Sequence, residues 1–177
     1  KHSRTCQPTT NAAQFIRRYT YDTIKRIKEF AQVRHPANAT ILCADARTAS
    51  FPRCDLVVTS PPYVGLIDYH EQHKYAYELL GLERKDSAEI GPAQKGTSNG
   101  AKQHYSEDIT RVFQNMKSSL KRGGRMVFVV NDKWGIYTEI ASRLDVKLET
   151  ELHRHVNRRT GRRSTDFYES VLVWRVP

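Results

Sequence analysis

The residues with the plainest chemical character are Ser60, Pro61, Pro62 and Tyr63, directly after the run Leu56-Val57-Val58-Thr59. Two consecutive prolines fix φ twice and restrict the residue ahead of them. The carbonyls of Ser60 and Pro61 are therefore held in set directions, with no nearby N–H of their own to satisfy. Rigid oxygen acceptors beside a flat ring suit an amino group attached to an aromatic base. The lone pair of such a nitrogen is delocalised into the ring, which makes it a poor nucleophile. Accepting hydrogen bonds from both N–H atoms draws the nitrogen toward tetrahedral geometry and frees the lone pair. Tyr63 would stack on the base, a contact worth about 1–3 kcal/mol in nucleic-acid sites. A base inside a duplex cannot reach such a turn and must be flipped out. The plainer alternative is a solvated Pro-Pro turn. Its position straight after a buried strand, beyond the polar end of another, favours chemistry.

Other strand-like runs also end in polar residues. Asp45 and Ala46 follow Ile41-Leu42-Cys43-Ala44, and Asn131 and Asp132 follow Met126 to Val130. Any one of these is an ordinary turn residue. Together they point to one rim, and ligands of open α/β sheets bind beyond the carboxyl ends of the strands. His70 and His73 stand one helical turn apart, but no third ligand accompanies them, so no metal is assigned. Cys6, Cys43 and Cys54 form neither a CxxC pair nor a zinc pattern; a sparse, odd number suits a reducing cytoplasm.

The elements that must position these groups follow from periodicity. Residues 11–33 read as a helix with Ile24, Ile27 and Ala31 on one stripe. Thr40 to Cys43, Asp55 to Thr59 and Arg125 to Val130 read as buried strands without clean alternation, as in parallel sheets. Tyr69, His73, Tyr77 and Leu80 recur at helical spacing before Gly81. Residues 83–104 hold Gly91, Pro92, Gly96 and Gly100 and read as a mobile surface loop. Ser106 reads as the cap of a helix closed by Gly123-Gly124. A short helix from Ile136 to Leu144 precedes two strands, Val146 to His155 and Phe167 to Val176. With no helix between them, these two should pair antiparallel at one edge. The alternation predicts a single partial domain over 1–177: an α/β, Rossmann-like sheet with helices on both faces and an antiparallel final hairpin.

The 177 residues carry a formal charge of +10, which points to an anionic partner, nucleic acid being the commonest. No apolar run reaches the length of a membrane span. Arg154, Arg158, Arg159, Arg162 and Arg163 cluster around the turn of the last hairpin, residues 153–166. Charges this dense repel unless an anion neutralises them, so phosphate contact is expected there, with Asn157 and Thr165 placed to touch base edges.

Thr59-Ser60-Pro61-Pro62-Tyr63 resembles the catalytic motif of prokaryotic, S-adenosylmethionine-dependent DNA amino-methyltransferases of restriction-modification type. The stretches CADAR, LKRGGRMVFVVND, DFYESVLVW and GLIDYHEQHKYAYELLGL are similar to further segments of that family, so the likeness runs from about Thr40 to Trp174. It implies a class I methyltransferase sheet, S-adenosylmethionine as cofactor, double-stranded DNA with a flipped base as partner, and a cytoplasmic, nucleoid-associated location. It also implies catalytic roles for Ser60, Pro61, Pro62 and Tyr63, and cofactor contact through Asp45, Ala46 and Ser60. Serine in the first motif position usually accompanies methylation of cytosine N4; aspartate or asparagine usually accompanies adenine N6. Adenine N6 transfer, methylation of RNA or another amine, and a non-catalytic DNA-binding subunit remain the alternatives. The family's glycine-rich cofactor loop and first two strands are not found in the sequence. The expectation is therefore that this chain alone binds cofactor weakly, the loop lying on another segment or on a second polypeptide.

Overall fold

The structure, a computed structural model, describes residues 11–155 and 168–177. The chain divides into two compact units, residues 1–43 and 44–177. In the first, α1 (Ala12–Val33) starts at Asn11, whose side chain accepts the N–H of Gln14 at 3.2 Å. Exposed pairs one turn apart, Asp22 with Arg26 and Glu29 with Lys25, add a few tenths of a kcal/mol each. The expected strand at Thr40 to Cys43 is not formed. The segment joins no ladder, and Ile41 is 94% exposed, so no neighbouring strand among the described residues rewards the β conformation.

The second unit is α/β. Its elements are β1 (Cys54–Thr59), α2 (Tyr69–Gln72), α3 (Lys74–Leu80), α4 (Asn99–Ser119), β2 (Leu120–Val130), α5 (Ile136–Arg143), β3 (Lys147–His155) and β4 (Tyr168–Arg175). The strands form one open sheet in the order β1-β2-β4-β3. β1 runs parallel to β2, while β4 is antiparallel to both β2 and β3, so the final pair is the expected antiparallel hairpin.

Alternation along β2 sends Met126, Phe128 and Val130 to the core, and the register places them opposite Trp174, Leu172 and Ser170. Tyr105, Ile109, Val112 and Phe113 recur at helical spacing on α4 and supply the facing layer. Phe113, Phe128, Tyr137 and Trp174 form an aromatic centre; Phe128 meets Trp174 edge-on with ring centroids 4.6 Å apart. Each fully buried ring of this kind contributes on the order of 3 kcal/mol. On the other face of β1, Leu56 and Val58 are exposed.

Several boundaries differ from the sequence reading; α4 ends at Ser119, so Gly123-Gly124, expected to close that helix, lie inside β2, which starts at Leu120 and not at Arg125. The helix expected over Tyr69 to Leu80 is broken at His73 (φ −105°, ψ 16°) into α2 and α3; Gly81, left-handed at φ 61°, ends it as expected. α4 begins at Asn99 with Ser98 as its cap, not at Ser106, which is buried inside the helix. The segment ahead of α4 holds two single 3₁₀ turns, Asp86–Ala88 and Ala93–Lys95, and Pro92 between them is fully buried. No helix of the described residues is long and apolar enough to cross a membrane.

Candidate active site

The Ser60–Tyr63 corner sits at the carboxyl end of β1, and each residue has a different surrounding. Ser60 is exposed, with its Oγ 3.4 Å from the carbonyl of Val129 at the end of β2. Pro61 is buried. The carbonyl of Pro62 accepts a hydrogen bond from the Tyr105 hydroxyl at 2.7 Å, and the Tyr105 and Tyr137 oxygens lie 2.6 Å apart. One proton per hydroxyl fixes the directions: Tyr105 gives its own to Pro62, so Tyr137 donates to Tyr105. Burial pushes both phenols above their ordinary range. No side chain among the described residues donates to the carbonyl of Ser60 or Pro61. The corner thus has one carbonyl tied to the core.

The Tyr63 hydroxyl donates to Glu169 Oε1 at 2.8 Å, joining the corner to the start of β4. Burial first, and then Glu169, raises the Tyr63 phenol. The other Glu169 oxygen takes the guanidinium of Arg154 from β3. Arg154, expected to hold phosphate, is therefore paired within the protein. Arg158, Arg159, Arg162 and Arg163 lie outside the described residues, as do Asn157, Thr165 and Cys6. Asn131 donates to the carbonyl of Tyr168 at 2.6 Å, so the ends of β2 and β4 are also linked. Asp132 accepts the N–H groups of Ile136 and Tyr137 at 2.8 and 2.9 Å, the first two of α5, whose N-cap position is Gly135; burial raises the Asp132 carboxyl.

The segment after the corner is pressed against it. Gly65 N–H donates to the carbonyl of Gly91 at 2.9 Å. A Cβ on Gly91 would lie 2.6 Å from Tyr105 Cδ2, and its φ of +63° is strained for any other residue. Glycine is needed here so that the backbone can lie against the ring that holds Pro62.

Asp45 and Ala46 belong to a different cluster. Both Asp45 oxygens meet the Arg47 guanidinium at 2.7–3.1 Å, and Oδ1 also accepts the Arg47 N–H. Arg47 continues to Asp108 on α4 and to the carbonyl of Ala88. This guanidinium holds the Asp45 carboxyl below its usual range. The Ala46 carbonyl accepts from Asn115 at 3.0 Å. His70 packs its ring on Tyr77, centroids 5.0 Å apart. No group of three or more His, Cys, Asp or Glu able to hold a metal occurs among the described residues.

The residues that the sequence did not single out are Tyr105, Tyr137 and Glu169. Tyr105 was hidden by placing the start of α4 too late, which left it in a loop. Glu169, a carboxylate entering an otherwise apolar final strand, was the one available signal.

Comparison with known proteins adds a relation at the level of sequence. The chain is 39% identical over 187 aligned residues to the type II methyltransferase M.MjaII of Methanocaldococcus jannaschii. The alignment takes in 97% of this chain and 35% of that protein, so the chain spans about a third of the length of this curated relative. No family model matches the chain. Among solved structures, TTHA0409 of Thermus thermophilus, a candidate DNA modification methylase complexed with S-adenosyl-L-methionine, superposes with a TM-score of 0.46. It is 24% identical, with 75% of this chain and 53% of that one covered. TrmN from Thermus thermophilus gives 0.35 at 17% identity, covering 77% and 28%.

Proposed function

We propose that this chain carries the base-accepting part of an S-adenosylmethionine-dependent DNA methyltransferase directed to an exocyclic amino group, cytosine N4 in preference to adenine N6. The observation that carries the reading is the state of the corner: Ser60 is exposed, Pro61 buried, and Pro62 locked by Tyr105, while the carbonyls of Ser60 and Pro61 receive no side-chain donor. These two oxygens, together with the Ser60 hydroxyl, would accept the amino N–H atoms of a flipped base and free the nitrogen lone pair. Tyr63, steadied by Glu169, would offer its ring for stacking. Serine rather than a carboxylate at position 60 supports cytosine N4. The sequence relation to a type II methyltransferase supports the reaction class and DNA as substrate. The arginines at 154, 158, 159, 162 and 163 are proposed to meet phosphate, Arg154 once it leaves Glu169.

S-adenosylmethionine would supply an electrophilic methyl group. The described residues do not fit it by themselves. The Asp45 carboxylate, proposed to meet the cofactor's adenine, is paired with Arg47, the Ala46 carbonyl is held by Asn115, and no glycine-rich turn follows a strand among the described residues. The remainder of the cofactor site is assigned to a segment or polypeptide beyond this chain. The test is transfer of labelled methyl to DNA and RNA by the protein purified from its native cells, beside Ser60→Ala and Tyr63→Ala. Incorporation into DNA that both substitutions lower at least tenfold is expected. Undiminished transfer by both variants, or transfer to RNA alone, overturns the reading.

A further inference from the structure

We propose that Lys102, Lys133 and Trp134 form a cradle for the phosphodiester backbone of the target DNA, beside the Ser60–Tyr63 corner and separate from the arginine hairpin; this rests on the DNA-directed function above. The Lys102 ammonium lies 5.0 Å and the Lys133 ammonium 4.2 Å from the centre of the Trp134 ring. The lysines come from different elements, α4 and the turn after β2, yet converge on one half-buried indole. Among the described residues neither ammonium has a carboxylate partner. By contrast Arg47, Lys74, Arg84, Lys121, Arg125 and Arg143 are each paired. The neighbouring Asp132 does not serve as a counter-charge, since both its oxygens point to the N–H groups that open α5.

Position follows from chain geometry. Lys102 precedes Tyr105 by three residues on α4, about 4.5 Å along the helix axis. Trp134 precedes Tyr137 by three residues. On α4, Lys102 is thus about one turn from Tyr105, whose hydroxyl holds the Pro62 carbonyl. A nucleotide with its base in the corner carries its phosphates into this neighbourhood. Two ammoniums facing one ring repel each other, and cation–π attraction offsets only about 0.5–1 kcal/mol apiece at exposed sites. Two backbone phosphates, one for each ammonium, neutralise both. Lysine, a compact and strongly hydrated point charge, positions a backbone without reading sequence.

The test titrates this chain with a short DNA duplex at several salt concentrations while following tryptophan emission. Trp174 is 1% exposed, so the change reports Trp134. A quench or shift of emission is expected in the wild type and is lost in Trp134→Phe, which still binds duplex by anisotropy. In Lys102→Ala/Lys133→Ala the slope of log K against log salt becomes shallower by about 2, roughly 0.9 per phosphate contact. Lys102→Arg/Lys133→Arg keeps the wild-type slope, and circular dichroism verifies that each variant is folded. An unchanged slope in the alanine pair, or an equal emission response to inorganic phosphate, overturns the cradle and leaves the methyltransferase reading standing. Failure to bind duplex even at low salt overturns the cradle together with the reading that DNA is this chain's partner.

Discussion

Tyr105→Phe removes a single oxygen that is both the donor to the Pro62 carbonyl at 2.7 Å and the acceptor for Tyr137 at 2.6 Å. Each lost hydrogen bond contributes about 0.5–1.5 kcal/mol net. The Tyr137 hydroxyl, in a residue only 3% exposed, is also left without an acceptor, a cost of about 1–3 kcal/mol if no water enters. The sum is about 2–6 kcal/mol. Tyr137→Phe removes only the second bond and leaves Tyr105 donating to Pro62, so it costs about 1 kcal/mol. The double variant strands no hydroxyl and costs no more than Tyr105→Phe alone. Urea unfolding of the four proteins by circular dichroism gives the cycle, and thermal midpoints give the same order. At about 2–4 °C per kcal/mol for a chain of this size, Tyr105→Phe should melt at least about 4 °C below wild type. A Tyr137→Phe penalty equal to or above that of Tyr105→Phe would show that the proton directions are reversed. An unchanged Tyr105→Phe midpoint would show that the Pro62 carbonyl is not held from the core.

The same phenols set an alkaline limit. Their folded-state values lie above the unfolded value near 10, so the folded chain keeps protons the unfolded chain loses, and stability should fall as pH rises past about 10 in a pH series of urea midpoints. The Asp45 carboxyl behaves oppositely. Lowered by Arg47, it contributes stability above about pH 4 that is lost as pH falls toward its folded value; Asp45→Asn should flatten that acid limb, by little because the carboxylate is partly exposed. Gly91→Ala places a methyl against the Tyr105 ring in a left-handed backbone and should lower stability by about 2 kcal/mol, read by thermal melting; a neutral result would mean the segment is not pressed on the ring. Glu169→Gln weakens the acceptor for Tyr63 and should lower methyl transfer roughly tenfold, about 1.4 kcal/mol, while the release of Arg154 leaves DNA affinity undiminished or higher; an unaltered rate would remove Glu169 from the account.

The strong periodicities were legible in the chain. β2 and β4 carry long runs of branched and aromatic residues, and the antiparallel pairing of β4 with β3 followed from the lack of a helix between them. The corner was legible because two prolines leave the backbone few choices. The start of α4 was not. Gly96, Ser98, Asn99 and Gly100 favour turns locally, and only the burial of Tyr105 on the core side makes helix worthwhile from Asn99. Thr40 to Cys43 showed the converse, since β-branched and apolar residues do not make a strand without a partner to pair with. Glu169, Tyr105 and Tyr137 act through partners between 32 and 106 residues away, a separation that sequence spacing does not encode.

Nucleoside mass analysis of DNA after incubation with the native protein and S-adenosylmethionine tests the central claim most directly. Acceptors aimed at a base amine predict N4-methylcytosine, with N6-methyladenine the minor possibility, and its loss in Ser60→Ala. Methyl found on carbon 5 of cytosine, or no methylated base at all, would contradict it.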